Sequence, residues 1–363
     1  MFKTLIALVI VVGIFGIIHY VRAAPPRKLT PGIQVYAHRG LRAFAPENTM
    51  PAYEAMMQVG ADWADMDVVM TKDGEIVVGH DPVLNPDIVR DLSGNFLAKN
   101  KESVLKAPPA ELGAYIQKYA VKNLTLADLQ KFEVGHLNPD SHYSKFFPDQ
   151  IAVGGTRMPT LRQVIHYVNK ASKGQMGFQI EMKTDPTHPE LSADPEKFAQ
   201  ALAKIIREEG IIDRTEIQAF DFSCLYALNK IDSRFKTAFL TSRDNEPGGV
   251  DDFQHADPKK AGAWTGGKLL KDYDGSIPKM VKALGGFAWE PEDAELTEKA
   301  LMEARSLGLK VVVWSWPEQL GVAFEPRLVE KMIAWNVDGI ITDDPGRLNS
   351  MLAARRMRVP PRY

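Results

Sequence analysis

From residue 31 onward the chain alternates short apolar runs with longer stretches in which apolar positions recur every three or four residues. The first pattern belongs to strands buried on both faces, the second to helices packed along one stripe. Eight apolar runs stand out, at 33–37, 63–70, 177–182, 215–220, 236–240, 286–290, 310–314 and 337–341. Each is followed by a helical stretch, which predicts an α/β fold with a parallel sheet, and the strand number predicts a TIM (β/α)8 barrel. An open doubly wound sheet shares the alternation. The barrel is preferred because polar residues recur at the C-terminal ends of the runs, where barrel active sites sit.

Helix boundaries are written in the same stretches. Asp194-Pro195 supplies an N-cap and a first-turn proline, Phe198, Leu202, Ile205 and Ile206 form the stripe, and Gly210 stops it. Thr160-Leu161-Arg162-Gln163 reads as a capping box ahead of Val164, Ile165 and Val168. Ala300, Leu301, Ala304 and Leu307, closed by Gly308, form another helix.

Two connections exceed ordinary loops. Residues 84–157 carry their own pattern at 124–129 and are expected to form a small subdomain inserted after the second strand. Residues 241–285, with Phe253, Trp264 and Tyr273, suit a substrate-facing loop over the barrel mouth. The barrel is assigned to 31–350 and a basic tail to 351–363, with 355–363 expected to fray.

Residues 1–23 differ in kind. Lys3, an apolar stretch over 5–18, and small residues at Val21 and Ala23 read as a secretory signal cleaved after Ala23. The apolar run is shorter than the roughly 20 residues that span a bilayer comfortably. Left uncleaved, residues 5–21 would instead anchor the protein at a membrane. Either reading exports the catalytic part, to the periplasm or beyond.

Charge narrows the partners. Lys plus Arg total 44 against 46 for Asp plus Glu, a net charge of −2, so there is no basic excess to neutralise a nucleic-acid backbone. The single cysteine, Cys224, excludes an intrachain disulfide and reads as a small buried side chain.

The chemistry concentrates at the strand ends. His38 and Arg39 follow the first strand, Asp65 and Asp67 share one face of the second, and His80 follows soon after. Glu181 and Lys183 end the third strand, Gln218 and Phe220 the fourth, Trp314 and Trp316 the seventh, and Asp343 follows the eighth. Asp65, Asp67 and Glu181 can stay ionised together in a partly dry site only if a cation offsets their repulsion. Oxygen-only ligands favour a hard divalent ion, Ca²⁺ or Mg²⁺. Two histidines can divide the work of activating a nucleophile and protonating a leaving alkoxide. The other six, His19, His136, His142, His166, His188 and His255, read as structural. Arg39 offers a planar fork and Lys183 a point charge for phosphate oxygens, or Lys183 pairs with Glu181 or Asp67. Within Pro46-Glu47-Asn48-Thr49, Asn48 or Thr49 caps a helix, while Glu47 serves either Arg39 or a substrate hydroxyl.

His38-Arg39-Gly40, Pro46-Glu47-Asn48-Thr49, Asp65-Met66-Asp67 and Gly79-His80-Asp81 resemble the glycerophosphodiester phosphodiesterase family. Leu124-Thr125-Leu126, Ile180-Glu181-Met182-Lys183, Trp314-Ser315-Trp316 and Thr342-Asp343 continue the likeness in order. The resemblance implies a TIM barrel with an insertion, His38 and His80 as acid and base, and Arg39 at the phosphate. It implies metal ligands at Asp65, Asp67 and Glu181, which the residues' own chemistry suits to one divalent ion, Ca²⁺ or Mg²⁺; Glu47, Lys183, Gln218 and Trp314 are read from their positions as substrate contacts. The implied reaction turns a small glycerophosphodiester into an alcohol and sn-glycerol 3-phosphate. A substrate hydroxyl beside the phosphate attacks first, and water opens the resulting cyclic phosphate. Rival readings are a phospholipase-type lyase and a weakly active phosphodiester-binding protein. One departure stands out: the family's first metal carboxylate is normally glutamate, and here it is the shorter Asp65.

Overall fold

The computed structural model describes residues 32–243, 249 and 262–363, so the leader, Phe253 and His255 lie outside the described residues. Eleven described strands follow in chain order. They are β1 (Gln34–Ala37), β2 (Trp63–Met70), β3 (Ile76–Val78), β4 (Arg90–Asp91), β5 (Phe132–Glu133), β6 (Gly177–Met182), β7 (Thr215–Ala219), β8 (Lys236–Thr241), β9 (Ala288–Pro291), β10 (Lys310–Val313) and β11 (Gly339–Thr342). Parallel pairing runs β1-β11-β10-β9-β8-β7-β6-β2, and β2 pairs back to β1, so eight strands close a TIM barrel. β3 adds an antiparallel edge to β2.

The apolar runs locate all eight barrel strands, and 63–70 and 177–182 coincide with β2 and β6. The run at 286–290 starts slightly early, because Gly286 N still donates to Val281 O of the helix Ile277–Ala283, while Phe287 N already bonds to Thr237 O of β8. Outward positions such as Ala64, Met66 and Val68 on β2 join the core beneath the helices. The helix stripe predicted at Phe198, Leu202, Ile205 and Ile206 is buried in Pro195–Glu208, with Asp194 as its N-cap. Thr160 and Gln163 form the expected capping box.

Inside, the barrel departs from the usual layers of branched aliphatic residues. Its lower end holds Tyr36 stacked on Trp63 at 5.3 Å, with Glu216 accepting from Tyr36 Oη at 2.9 Å and Lys310 Nζ at 2.8 Å. Gly177 makes room for this pair, since a Cβ there would stand 2.3 Å from the Trp63 ring. Above them Gln179 donates to Glu290, a fully buried acid held well above the carboxylate range by burial and by the charges of Glu216 and Asp65.

Residues 84–157 hold β4 paired with β5, short helices and a small separate core around Leu84, Val89, Val121 and Leu129. Of the connection after β8, residues 244–248 and 250–261 lie outside the described residues. Its described part packs on the barrel wall, Trp264 O accepting from Phe222 N at 2.8 Å and Trp264 and Tyr273 lying against the main core. The tail does not fray. Arg358 grips buried Asp62 through two contacts of 2.9 and 2.6 Å, and Tyr363 N donates to Met57 O at 2.9 Å. Asp62 is a buried charge that also accepts from Val35 N, so it demands a cation, and the tail provides one.

Candidate active site

At the C-terminal end of the barrel a cavity of about 530 Å³ is lined by His38, Arg39, Asp65, His80, Glu181 and Lys183. Gln218, Phe220, Trp314 and Trp316 form another part of its wall. Nearly every side chain expected from the sequence therefore converges here. Asp67 sits just beneath, reached through Arg39.

The turn after β1 is built for close approach. Arg39 adopts φ 52°, a left-handed conformation uncommon outside glycine, and a Cβ on Gly40 would stand 2.7 Å from Ala52 Cβ. The strained turn is pressed onto the helix Met50–Val59, which Thr49 caps. Asn48, also at positive φ, donates to Asp67 Oδ2 at 2.8 Å and so ties this turn to β2.

Arg39 is the electrostatic hub. Its Nη1 lies 2.7 Å from Glu47 Oε1, its Nε 3.0 Å from Asp67 Oδ2 and 3.2 Å from His38 Nε2. Burial opposes the charge of all three ionic groups, yet their attraction prevails. Arg39 is held well above its usual range, Asp67 well below, and Glu47 below as well. Of the two openings left by the sequence, Glu47 takes the arginine.

Each histidine has a carboxylate behind it. His38 Nδ1 stands 2.7 Å from Asp343 Oδ1, and His80 Nδ1 3.3 Å from Asp81 Oδ1. A proton on Nδ1, directed at the carboxylate, leaves Nε2 of each ring as an acceptor, and that of His38 takes the Arg39 Nε–H at 3.2 Å. Burial lowers the His38 pKa, with Asp343 opposing. Burial, Arg39 and Lys183 pull His80 down to about 4. Burial thus favours the neutral form of both rings, so the one that acts as acid must first take up a proton. Asp343 was visible in the sequence only as a polar strand end, and its pairing with His38 closes a separation of 305 residues.

The acidic group is more divided than the spacing suggests. Asp67 serves Arg39 and Asn48, Glu181 Oε1 takes Lys183 Nζ at 2.7 Å, and Asp65 Oδ1 accepts from Gln218 Nε2 at 2.8 Å. Among the described residues no three His, Cys, Asp or Glu side chains stand arranged as a ready metal site. Neighbouring cations and amides occupy some of the oxygens of Asp65, Asp67 and Glu181. Even so, the donor set fits a hard divalent ion. Asp65 Oδ2 is buried with no partner. Burial and the charges of Asp67 and Glu181 push Asp65 well above the carboxylate range. Burial pushes Glu181 up to about 7, with Lys183 opposing. A cation would relieve all of this.

The remaining residues sort clearly. Lys183 takes the ion pair with Glu181 and still faces the cavity. Gln218 supports Asp65 and keeps its Oε1 unpartnered. Trp314 donates its indole N–H to Glu290 O at 2.9 Å and packs edge-on against Phe220 and Trp316. His142 lines the cavity wall, contrary to its structural reading. His136, His166 and His188 sit beside Glu133, Glu209 and Asp185. Cys224 is buried, its thiol pushed up by burial, in keeping with a packing role.

Residues 38–347 match the glycerophosphoryl diester phosphodiesterase family. The chain is 26% identical to the glycerophosphodiester phosphodiesterase of Bacillus subtilis over 60% of each protein. It is 26% identical to the one from Caldanaerobacter subterraneus over 88% of this chain and 97% of that protein. Among solved structures, a Silicibacter pomeroyi protein named for the same activity superposes with a TM-score of 0.71 at 26% identity, covering 90% and 96% of the two chains. An Oleispira antarctica phosphodiesterase, solved with the product sn-glycerol-3-phosphate, shares the fold at 17% identity and a TM-score of 0.59, over 89% and 97%.

Proposed function

Since the chain belongs to the glycerophosphoryl diester phosphodiesterase family, we propose that it hydrolyses small glycerophosphodiesters to an alcohol and sn-glycerol 3-phosphate by histidine acid–base catalysis. The observation that carries this reading is the pair of imidazoles, each backed by a carboxylate, lining one cavity with Arg39 and Lys183.

The residues divide the work as follows. Arg39, already fixed by Glu47 and Asp67, takes the non-bridging phosphate oxygens, and Lys183 adds a second positive charge. One histidine accepts the proton of the substrate hydroxyl next to the phosphate as its oxygen bonds to phosphorus. The other, which enters the step already protonated as an imidazolium, gives its proton to the alcohol oxygen as its bond to phosphorus breaks, and returns to the neutral form. Reversal of these roles lets water open the cyclic phosphate. Asp343 and Asp81 hold the rings with Nε2 toward the exchange. A divalent ion, Ca²⁺ or Mg²⁺, held by Asp65 and Glu181 with Asp67 beside them, would supply stabilisation of the charge that develops on the phosphate oxygens. Phe220, Trp314 and Trp316 give the substrate's carbon skeleton an apolar wall. Export rests on the leader sequence alone.

Incubation of the purified protein with several glycerophosphodiesters, before and after EDTA and with Ca²⁺ or Mg²⁺ returned, tests the reading. Release of glycerol 3-phosphate that falls with chelation and recovers with the ion is expected. Accumulation of cyclic phosphate alone would replace hydrolysis with the lyase reading, and turnover of no diester would remove the enzymatic one.

A further inference from the structure

The insertion at 84–157 reaches the catalytic apparatus from two sides, and on each its contacts end on groups that hold a catalytic side chain. On one side Lys101, in the short helix Lys101–Leu105, places Nζ 2.9 Å from Asp81 Oδ1. That oxygen is the one facing His80 Nδ1, while Asn85 Nδ2 holds the other at 2.9 Å. On the other side Tyr143, in the turn of helix Tyr143–Phe146, donates its hydroxyl to Glu47 Oε2. The same hydroxyl accepts from Arg42 Nε at 2.9 Å. Glu47 in turn holds Arg39, and Arg42 Nη1 lies 3.5 Å from the Asp343 oxygen that pairs with His38. Arg42 is almost wholly buried, its guanidinium 4.3 Å from the Phe147 ring, which also comes from the insertion.

The two contacts share one platform. Buried Asn138 donates its amide to Pro86 O at 3.1 Å and Lys99 O at 2.8 Å. Asn100, which caps the Lys101 helix, donates to Asp140 O at 3.0 Å, a few residues before Tyr143. The stretch that carries Lys101 and the stretch that carries Tyr143 are therefore bonded to each other before either reaches the barrel.

We infer that the inserted segment is part of the catalytic apparatus: Lys101 positions His80 through Asp81, and Tyr143 positions Arg39 through Glu47. Both are positioning residues, since neither needs to touch the reacting atoms. The inference rests on the acid–base reading above and extends it to a segment outside the barrel. The half-buried Tyr143 hydroxyl ends on the buried carboxylate of Glu47, whereas Lys101 keeps 45% of its side chain exposed, so their effects differ in size. Tyr143→Phe should lower kcat/KM by roughly 10- to 100-fold, the loss of a hydrogen bond to a buried charged group. Lys101→Met should lower it by roughly threefold to tenfold, with Lys101→Arg restoring most of it.

The experiment measures kcat, KM and Tm for both variants, alone and combined with His80→Ala, His38→Ala and Glu47→Gln. If the inference holds, Lys101→Met loses its cost in His80→Ala and keeps it in His38→Ala. Tyr143→Phe loses its cost in Glu47→Gln and keeps it in His80→Ala. Effects that multiply fully in every background, or single variants within twofold of wild type, would overturn it. So would rate losses that follow Tm rather than the partner residue. Substantial turnover by His80→Ala alone would overturn the acid–base reading beneath it, whatever the insertion variants do. An inactive His80→Ala with silent insertion variants would overturn this inference and leave that reading standing.

Discussion

Asp343→Asn tests what a carboxylate does for a histidine while keeping the shape of the site, and it also takes a charge from beside Arg42. The carboxylate is almost wholly buried, 2.7 Å from His38 Nδ1, and it does not line the substrate cavity. Asparagine fills the same space, but a neutral amide cannot stabilise the imidazolium that forms when His38 takes a proton. The interaction lost is a hydrogen bond between charged partners, about 1.5–3 kcal/mol. At one factor of ten per 1.36 kcal/mol, that predicts a fall in kcat of roughly 10- to 150-fold, with KM nearly unchanged. The pH profile gives the sign. Burial lowers the His38 pKa and Asp343 opposes it, so removing the charge drops His38 further. If His38 is the base, the acid limb of kcat against pH moves to lower pH; if it is the acid, the alkaline limb does. The measurement is steady-state hydrolysis from pH 4 to 10 for wild type and variant, with far-ultraviolet circular dichroism to establish folding. A kcat within twofold of wild type and two unmoved limbs would refute the role assigned to Asp343.

Three further outcomes are expected. His38→Ala and His80→Ala should each cost roughly 10²- to 10⁴-fold in kcat, and their combination far less than the product, because both act on one transition state; near-normal turnover by either removes that histidine from the mechanism. The Tm increase produced by Ca²⁺ or Mg²⁺ should grow from pH 6 to pH 8. Glu181 titrates near 7 and Asp65 is also raised, so at low pH an ion must displace their protons while at high pH it meets free carboxylates; a thermal shift constant across that range, or one that shrinks, contradicts the ligand assignment. Arg358→Met removes both guanidinium contacts to the buried Asp62 carboxylate and should cost about 3 kcal/mol in urea unfolding; a loss below 1 kcal/mol would mean that the tail adds little to what else holds Asp62.

The barrel was legible because parallel strands buried on both faces write themselves as continuous apolar runs, and the helices between them carry caps and stripes. β2 and β6 are long and apolar on their outer faces, and their limits could be read directly. β9 is short and follows a glycine-rich turn, where a run of apolar residues says little about the strand's first hydrogen bond. The site residues were legible in kind, since His, Arg and carboxylates cluster at strand ends. Their partners were not. Asp343 behind His38 and Asn48 on Asp67 are contacts between distant turns, and a sequence records the residues without the pairing. The same holds for the polar interior, where Gln179 and Glu290 sit in apolar strands and look outward or inward only once the barrel is closed. The tail was misjudged because its basic, proline-containing composition matches that of frayed ends, while the buried acid awaiting it lies 296 residues away.

The pairing of β1 with β11 carries a kinetic consequence. It joins the first and last strands of the described barrel, and the Arg358–Asp62 clasp spans nearly the same stretch of chain. Contacts so remote along the polypeptide form only after most of the chain has been drawn together, since loop closure must be met before they reward it. His38 gains its carboxylate at that same seam. A partly folded chain with β1 and β11 apart therefore lacks a competent imidazole however much of its sheet and helix is in place. During refolding, the return of turnover should accordingly trail the return of secondary structure, and an enzyme assay becomes a clock for the final closing of the ring.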